Sequence, residues 1–199
     1  MQDYSLDLET PGNRFNSGIL AIGACQFDRN TGVIGKTFYR EIDIESALRY
    51  GTLSADTLCW WMGQSEEARK LFTDKTRQKH LLPRALVELA AFIPKGSRVW
   101  GNGATFNITI LEHAYFQAAQ KHPWDFWNIR DMQTAVDMAD YQKNTIPFSG
   151  TAHNALDDAT HQAKVISWCF NKIRPVTGKA VAEDDLVGPT SHATAASTR

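Results

Sequence analysis

The N-terminal part of the chain constrains the fold most, because three β-rich runs follow one another with short links. The run YSLDLE alternates apolar and polar residues and stops at Pro11 and Gly12; SGILAIGACQFD and GKTFYREIDI follow it. The letters RNTG, between the second run and the third, have the composition of a turn. Because a parallel return needs a crossover of about a dozen residues or more, the pattern predicts an antiparallel meander of three strands.

Helix-like periodicity replaces the alternation after Ile44. Helices are expected over residues 54–72, with Ser54 as the N-cap, and then over 82–93, 104–120, 131–140 and 155–172. A short strand, SRVWGNG, precedes the third of these helices. Strands followed by helices around a later strand predict an α/β protein with a mixed sheet covered by helices.

Length and composition limit the organisation of the chain. The 199 residues allow one domain, expected over residues 1–174, whereas residues 175–199 are rich in Ala, Thr, Ser and Gly and predict a disordered tail. The net charge of −1 gives no global field for a polyanion, so a nucleic acid would have to be bound by local contacts. Three widely spaced cysteines, no secretory signal and no membrane-length apolar run predict a soluble cytoplasmic protein.

Two carboxylates, Asp7 and Glu9, are two residues apart in the first predicted strand. They leave the same face of that strand, with Cα atoms about 7 Å apart, and could bind a cation together. The alternative is a half-exposed strand whose polar side chains are simply in water. For the pair taken alone, that alternative is the simpler interpretation.

The segment HNALDDATHQAKVISWCF has an apolar stripe at helical spacing, with Asn154 as the expected N-cap. His153 lies just before this helix, and Asp158 lies in its first turn beside the stripe. Asp157 and His161 are expected to project towards solvent. Ordinary capping, with acids favoured near a helix N-terminus, is the alternative for all of these residues.

Asn107 lies near the start of the helix predicted over residues 104–120 and on its apolar face, so its side chain is expected to point inward. A capping amide or an amide at the edge of the core is one alternative. A dinucleotide-binding loop, suggested by Gly101 and Gly103, is excluded because Phe106 occupies the place of the third glycine.

Three motifs in this order resemble those of the DEDDh 3′-to-5′ exonucleases of the RNase H-like superfamily. DLETPG is similar to the first motif, Asp-x-Glu, NGATFN to the second, Asn-x-x-x-Phe-Asp, and HNALDD to the third, His-x-x-x-x-Asp. The resemblance covers roughly residues 4–172. It is closest to the bacterial and phage branch of exodeoxyribonuclease VIII-like and 3′-to-5′ exoribonuclease-like proteins.

The resemblance implies an RNase H-like fold, in which parallel strands extend the meander and helices flank the sheet. It also implies hydrolysis of phosphodiesters at the 3′ ends of single-stranded DNA or RNA, with DNA slightly favoured, and two Mg²⁺ or Mn²⁺ ions as cofactors. Asp7, Glu9 and Asp158 would be the metal ligands, and His153 would accept a proton from the attacking water. A homodimer and the absence of a membrane partner are further expectations.

Position 107 matches the aspartate of the second motif, yet this sequence carries the neutral amide Asn107. Three carboxylates remain against the four positive charges of two divalent ions. A weakened or engineered enzyme that still binds nucleic acid is the favoured interpretation. The alternative is a noncatalytic nucleic-acid-binding module that keeps the exonuclease fold.

The resemblance extends to substrate contacts, most of which lie in the matched motifs. The expected substrate-binding residues are Thr10, Asn102, Phe106 and Trp61. A tryptophan ring could stack on a terminal base, and of the adjacent Trp60 and Trp61 we expect one to be buried and one exposed. The basic segment DKTRQKH is expected to be a solvated loop between helices, and Asp131 to start a helix.

Overall fold

The computed structural model describes residues 2–174. The predicted disordered tail, residues 175–199, lies outside the described residues, so the division of the chain at residue 174 stays a prediction. Within residues 2–174 the centre of the fold is a six-stranded mixed sheet. Its strands are β1 (Asp3–Glu9), β2 (Ala21–Phe27), β3 (Ile34–Ile42), β4 (Lys79–His80), β5 (Arg98–Gly101) and β6 (Ile129–Asp131).

The strand order is β4-β3-β2-β1-β5-β6. The first three strands form the predicted antiparallel meander, with Asp7 opposite Gly23 in the pairing of β1 with β2. The other three strands each run parallel to a neighbour: β4 to β3, β5 to β1 and β6 to β5. The predicted mixed α/β sheet is therefore confirmed, and β1 lies in its interior.

Seven α-helices surround the sheet in the described part of the chain. They are α1 (Ile44–Tyr50), α2 (Ala55–Met62), α3 (Glu66–Thr73), α4 (Leu82–Phe92), α5 (Ala104–Gln117), α6 (Met132–Met138) and α7 (Ala155–Ile173). None of them combines the length and the apolar character that crossing a membrane requires.

The prediction of one helix over residues 54–72 is wrong, because the segment forms α2 and α3. Ser54 caps α2 as predicted by accepting a hydrogen bond from the backbone N–H of Thr57. That helix ends at Gly63, and the Ser65 side chain accepts from Ala68 to cap a second helix. The new capping residue lets the chain turn between the two helices.

The basic segment DKTRQKH is more ordered than a solvated loop. Lys79 lies in β4, which pairs with β3, and its ammonium contacts the carboxylate of Glu41 at 2.5 Å. Arg77 reaches the other oxygen of the same carboxylate at 2.8 Å, and Glu41 is buried. These cations therefore balance a buried acid of the protein.

Helices cover both faces of β1. Leu6 and Leu8 pack against Ile108 of α5 on one face, and Trp100 and Ile166 belong to the core on the other. Glu9 is only 6% exposed. The alternative of a half-exposed strand is therefore wrong, and Asp7 of β1 contacts Gln162 of α7.

A glycine lets α7 approach the sheet closely at its N-terminal end. A Cβ atom on Gly23 would lie 2.1 Å from the backbone carbonyl of Ala155, the first residue of α7. Because Gly23 is paired with Asp7, this close approach brings the first turn of α7 beside the acidic residues of β1.

Candidate active site

Three carboxylates meet where β1 ends and α7 begins. Asp7 and Glu9 come from one face of β1, and Asp158 comes from the first turn of α7. One oxygen from each lies within 4.8 Å of the others. Asn154 starts the helix as predicted, since its side chain accepts from the backbone N–H groups of Leu156 and Asp157. Strand alternation and helix capping thus bring together residues far apart in the sequence.

The electrostatics of this cluster favour the protonated acids. Burial raises the pKa of Asp7 to about 7 and that of Asp158 to about 6. Burial, followed by the charges of Asp7 and Asp158, raises the pKa of Glu9 to about 9. A divalent cation among the three carboxylates would offset both effects, and oxygen donors are the ligands that Mg²⁺ and Mn²⁺ prefer. The donor set therefore suits such a cation.

Asn107 points inward, as predicted, and is 2% exposed. Its Nδ2 donates to Asp7 Oδ1 over 3.0 Å and makes a longer contact of 3.4 Å with the Leu6 carbonyl oxygen. An aspartate in this place would face the Asp7 carboxylate at short range, and two like charges there would repel each other. The amide instead holds Asp7 by a hydrogen bond that requires no cation.

Gln162 also contacts Asp7, although the sequence patterns do not identify it. Its Nε2 donates to Asp7 Oδ1 over 2.9 Å, and the side chain is 5% exposed. The available signal is its spacing, because Gln162 lies four residues after Asp158 and so on the same face of α7.

His153 lies in the loop that leads into α7, where its backbone N–H partly offsets the effect of burial on the pKa of Asp158. Its φ of 63° falls in the left-handed region, which is uncommon for residues other than glycine. The imidazole meets the Trp60 ring edge-on, with centroids 4.9 Å apart. Burial lowers the pKa of His153, which favours the neutral ring.

A cleft of about 400 Å³ lies beside the carboxylates. Glu9, Thr10, Trp60 and Phe106 are among the residues that line it. The Thr10 hydroxyl donates to the carbonyl oxygen of Gly12 over 2.6 Å, which holds the chain in a turn after β1. The cleft therefore has an acidic edge at Glu9 and an aromatic wall formed by Trp60 and Phe106.

Trp61, an expected substrate-binding residue, is among the residues that line the cleft, but it is the buried member of the tryptophan pair. Trp61 is 1% exposed, its Nε1 donates to the Thr10 carbonyl oxygen over 2.9 Å, and its ring packs against Phe72. Trp60 is the exposed member of the pair, at 48%. One tryptophan therefore supports the cleft and the other presents its ring to it, in accordance with the predicted division of the pair.

Asn102 lies in the turn after β5, and its side-chain Oδ1 accepts from Gln133 Nε2 over 2.5 Å. It is not among the residues that line the aromatic cleft. Asp131 starts α6 as predicted by accepting from the backbone N–H of Thr134, and its other oxygen accepts from Ala104 at the start of α5. These contacts join the two helices.

Two residues expected to face solvent are partly buried instead. The Asp157 carboxylate accepts from the backbone N–H of Thr151 over 2.8 Å and so ties the loop before α7 to its first turn. His161 is half-buried, and its Nδ1 lies buried without a hydrogen-bond partner among residues 2–174. The expectation of solvent exposure is therefore wrong for His161.

The sequence of this chain is similar to those of known exonucleases. Residues 2–170 match the family model described as the 3′-5′ exoribonuclease Rv2179c-like domain. An exodeoxyribonuclease of Enterobacteria phage T4 is 23% identical over 164 residues, which cover 69% of this chain and 71% of that protein.

Solved structures of DEDDh exonucleases have the same fold. The nuclease domain of 3′hExo, bound to rAMP, matches 85% of this chain and 91% of that chain, at 15% identity and a TM-score of 0.56. Exonuclease I of E. coli, in complex with a dT13 oligonucleotide, matches 86% of this chain at 12% identity and a TM-score of 0.60. The match covers 41% of that longer chain. The chain therefore belongs to the Rv2179c-like 3′-5′ exoribonuclease domain family, and its fold is similar to that of a DEDDh-family nuclease domain.

Proposed function

We propose that this site carries out metal-dependent 3′-to-5′ exonucleolysis of single-stranded nucleic acid, with DNA slightly favoured over RNA, and that Asn107 weakens it. The observation that carries the proposal is the meeting of Asp7, Glu9 and Asp158 within 4.8 Å, in a chain of an exonuclease family. The preference for DNA is supported by the exodeoxyribonuclease of phage T4.

Asp7, Glu9 and Asp158 would hold the cations, Mg²⁺ or Mn²⁺, and two ions are proposed for the active form. Bound there, the ions would supply activation of water and stabilisation of charge on the phosphodiester. The raised pKa values of the three acids support this assignment, because the cluster is electrostatically unfavourable without added positive charge.

His153 would accept the proton of the attacking water. Its imidazole lies next to the cleft, and its lowered pKa keeps it neutral, as a general base must be. The edge-on contacts with the rings of Trp60 and Trp61 would limit the movement of this residue. The strained backbone of His153 supports a functional role.

The aromatic wall would bind the unpaired bases. Trp60 and Phe106 line the cleft, and stacking on such rings contributes ~1–3 kcal/mol per base with little dependence on sequence. Phe15, in the segment that follows β1, is 61% exposed and meets the His113 ring of α5 at 5.6 Å. This ring would offer a further contact to a single strand that leaves the cleft.

Asn107 would weaken the reaction because it removes one negative charge and keeps an amide on Asp7. Losses of this kind commonly reduce turnover by about 100-fold or more, whereas contacts to the bases would be unchanged. The second candidate is a noncatalytic nucleic-acid-binding module. The observation in its favour is that Asn107 satisfies Asp7 without a cation.

The test is a nuclease assay of the chain and its Asn107→Asp variant on matched DNA and RNA oligonucleotides labelled at the 5′ end, with Mn²⁺. We expect the variant to be about 100-fold faster or more, to shorten the oligonucleotides from the 3′ end and to degrade DNA faster than RNA. Equal rates for the two proteins would refute the role of position 107. An inactive variant that binds oligonucleotides would favour the noncatalytic module.

A further inference from the structure

Gln162 is a buried polar side chain among the mainly apolar buried residues of α7. It is 5% exposed, and Ala159, Ala163 and Ile166 on the same helix are each fully buried. A buried amide requires hydrogen bonds to offset the loss of water. The partner of Gln162 therefore indicates what the side chain does.

That partner is Asp7. Gln162 Nε2 donates to Asp7 Oδ1 over 2.9 Å, and Asn107 Nδ2 donates to the same oxygen over 3.0 Å. One amide comes from α7 and the other from α5. A carboxylate oxygen has two lone pairs, so two donors on Oδ1 restrict rotation of the Asp7 carboxylate. Both of these hydrogen bonds go to Oδ1 and not to Oδ2.

The other end of the Gln162 amide supports this interpretation. Gln162 Oε1 is buried and has no hydrogen-bond partner within residues 2–174. If the two ends of the amide were exchanged, an acceptor would face an acceptor oxygen of Asp7. The side chain thus leaves its carbonyl oxygen unsatisfied and directs its N–H group at Asp7.

We infer that Gln162 is a positioning residue for cation binding, which holds Asp7 Oδ1 so that Oδ2 is presented to a cation shared with Glu9 and Asp158. The inference rests on the proposed function, because it assigns the cation to that same site. In the present chain the Asn107 amide also holds Asp7 Oδ1. In the Asn107→Asp variant Gln162 is the remaining amide of the two, so cation binding depends on it more strongly.

The experiment measures the Kd for Mn²⁺ by titration calorimetry in four proteins: the chain, Gln162→Met, Asn107→Asp and the double variant. Methionine has a similar length and no hydrogen-bond donor. We expect Gln162→Met to weaken Mn²⁺ binding by about 10-fold or more, since partners that orient metal ligands commonly contribute 10- to 100-fold. The loss should be larger in the Asn107→Asp background.

Cys169→Ala is the control for a general loss of packing. Cys169 is fully buried on α7, two turns after Gln162. Its replacement should lower the Tm and leave the Kd for Mn²⁺ unchanged. In the Asn107→Asp background, Gln162→Met should also lower kcat while the KM for the oligonucleotide is kept.

The possible outcomes separate this inference from the proposed function. Unchanged Mn²⁺ affinity of Gln162→Met in both backgrounds would overturn the positioning role and leave the nuclease proposal intact. Weakened Mn²⁺ binding together with an inactive Asn107→Asp variant would support the positioning role and refute the nuclease. If neither the chain nor Asn107→Asp binds Mn²⁺, both proposals fail.

Discussion

Asp7 is the side chain at which the contacts of the site converge. Asn107 and Gln162 donate to one of its oxygens, and the charge of Asp158 opposes its ionisation. Burial has the largest effect on its pKa, which it raises. The two donors only partly offset the cost of ionising a buried acid beside another acid, so a cation that neutralises the charge should stabilise the fold.

Replacing Asp158 should therefore make the metal-free protein more stable while removing its cation binding. The Asp158→Asn variant has one acid fewer beside Asp7 and Glu9 and keeps an oxygen that can accept from the His153 backbone. At pH 8 we expect the metal-free Tm to rise by about 2–4 °C, the shift that ~1 kcal/mol produces in a chain of this length.

The measurement is a thermal melt with and without Mn²⁺. Mn²⁺ should raise the Tm of the unchanged chain and have little effect on Asp158→Asn. Equal stabilisation of both proteins by Mn²⁺ would show that the ion binds elsewhere.

At the scale of secondary-structure elements, α2 contributes Trp60 to the aromatic wall of the cleft. Trp60→Ala should weaken the binding of a fluorescently labelled oligo-dT by about 10-fold, since stacking contributes ~1–3 kcal/mol per base. The measurement is fluorescence anisotropy. Both proteins keep Asn107, so binding is measured with little turnover.

The matched control for Trp60→Ala is Phe126→Ala. Phe126 is 77% exposed, and it lines a different cleft, together with Pro94 and Trp124. Its loss should leave oligonucleotide affinity unchanged. Similar affinities of the two variants would exclude Trp60 as a specific base contact.

The close approach of α7 to β2 gives a second prediction about an element. In Gly23→Ala the new Cβ would lie 2.1 Å from the Ala155 backbone, so the start of α7 must move away from the sheet. We expect a loss of about 1–3 kcal/mol in the free energy of unfolding and a weaker affinity for Mn²⁺.

Gly35→Ala is the control, because the nearest atom to a Cβ there is the end of the flexible Gln26 side chain, at 3.1 Å. Denaturant unfolding and Mn²⁺ titration of both variants provide the measurement. Normal Mn²⁺ affinity in Gly23→Ala would mean that the position of α7 does not control the site.

Elements with a long periodic pattern could be predicted from the sequence, and short ones could not. The alternation of β1 and the apolar stripe of α7 each extend over enough residues to define one face. β4 has two residues and β6 has three, which is too short for a pattern. The break between α2 and α3 depends on the capping side chain of Ser65, which the periodicity does not indicate.

The site could be predicted only as far as its motifs extend. Asp7, Glu9, Asn107 and Asp158 occupy motif positions, and the structure brings all four together. The contact between Gln162 and Asp7 joins residues 155 positions apart, so it exists only after folding. Likewise, nothing in the pair Trp60 and Trp61 indicates which ring is buried; the packing of α2 on the core decides it.

At the scale of the whole molecule, the acidic cluster links stability to pH. The pKa of Asp7 rises from 3.8 to about 7 on folding, and that of Glu9 rises from 4.5 to about 9. A raised carboxyl pKa means that the folded state binds more protons than the unfolded state at pH values between the unfolded and the folded pKa. The contribution of each acid to the free energy of unfolding is therefore most favourable below its unfolded pKa and is lost as the pH rises through its folded pKa.

The metal-free protein should therefore lose stability as the pH rises from about 5 to 9. Mn²⁺ or Mg²⁺ should reverse the loss, because the cation favours the ionised acids, and should raise the Tm more at pH 8 than at pH 5. Thermal melts across this range, with EDTA or with metal, provide the measurement. A metal-induced rise in Tm that does not depend on pH would contradict the linkage.

The most direct test of the account is diffraction from crystals of the Asn107→Asp variant soaked in Mn²⁺, with anomalous data. We predict an anomalous peak bounded by the carboxylates of Asp7, Glu9 and Asp158. The absence of a peak there, in crystals with ordered side chains at all three positions, would contradict the central claim that these acids form a cation site.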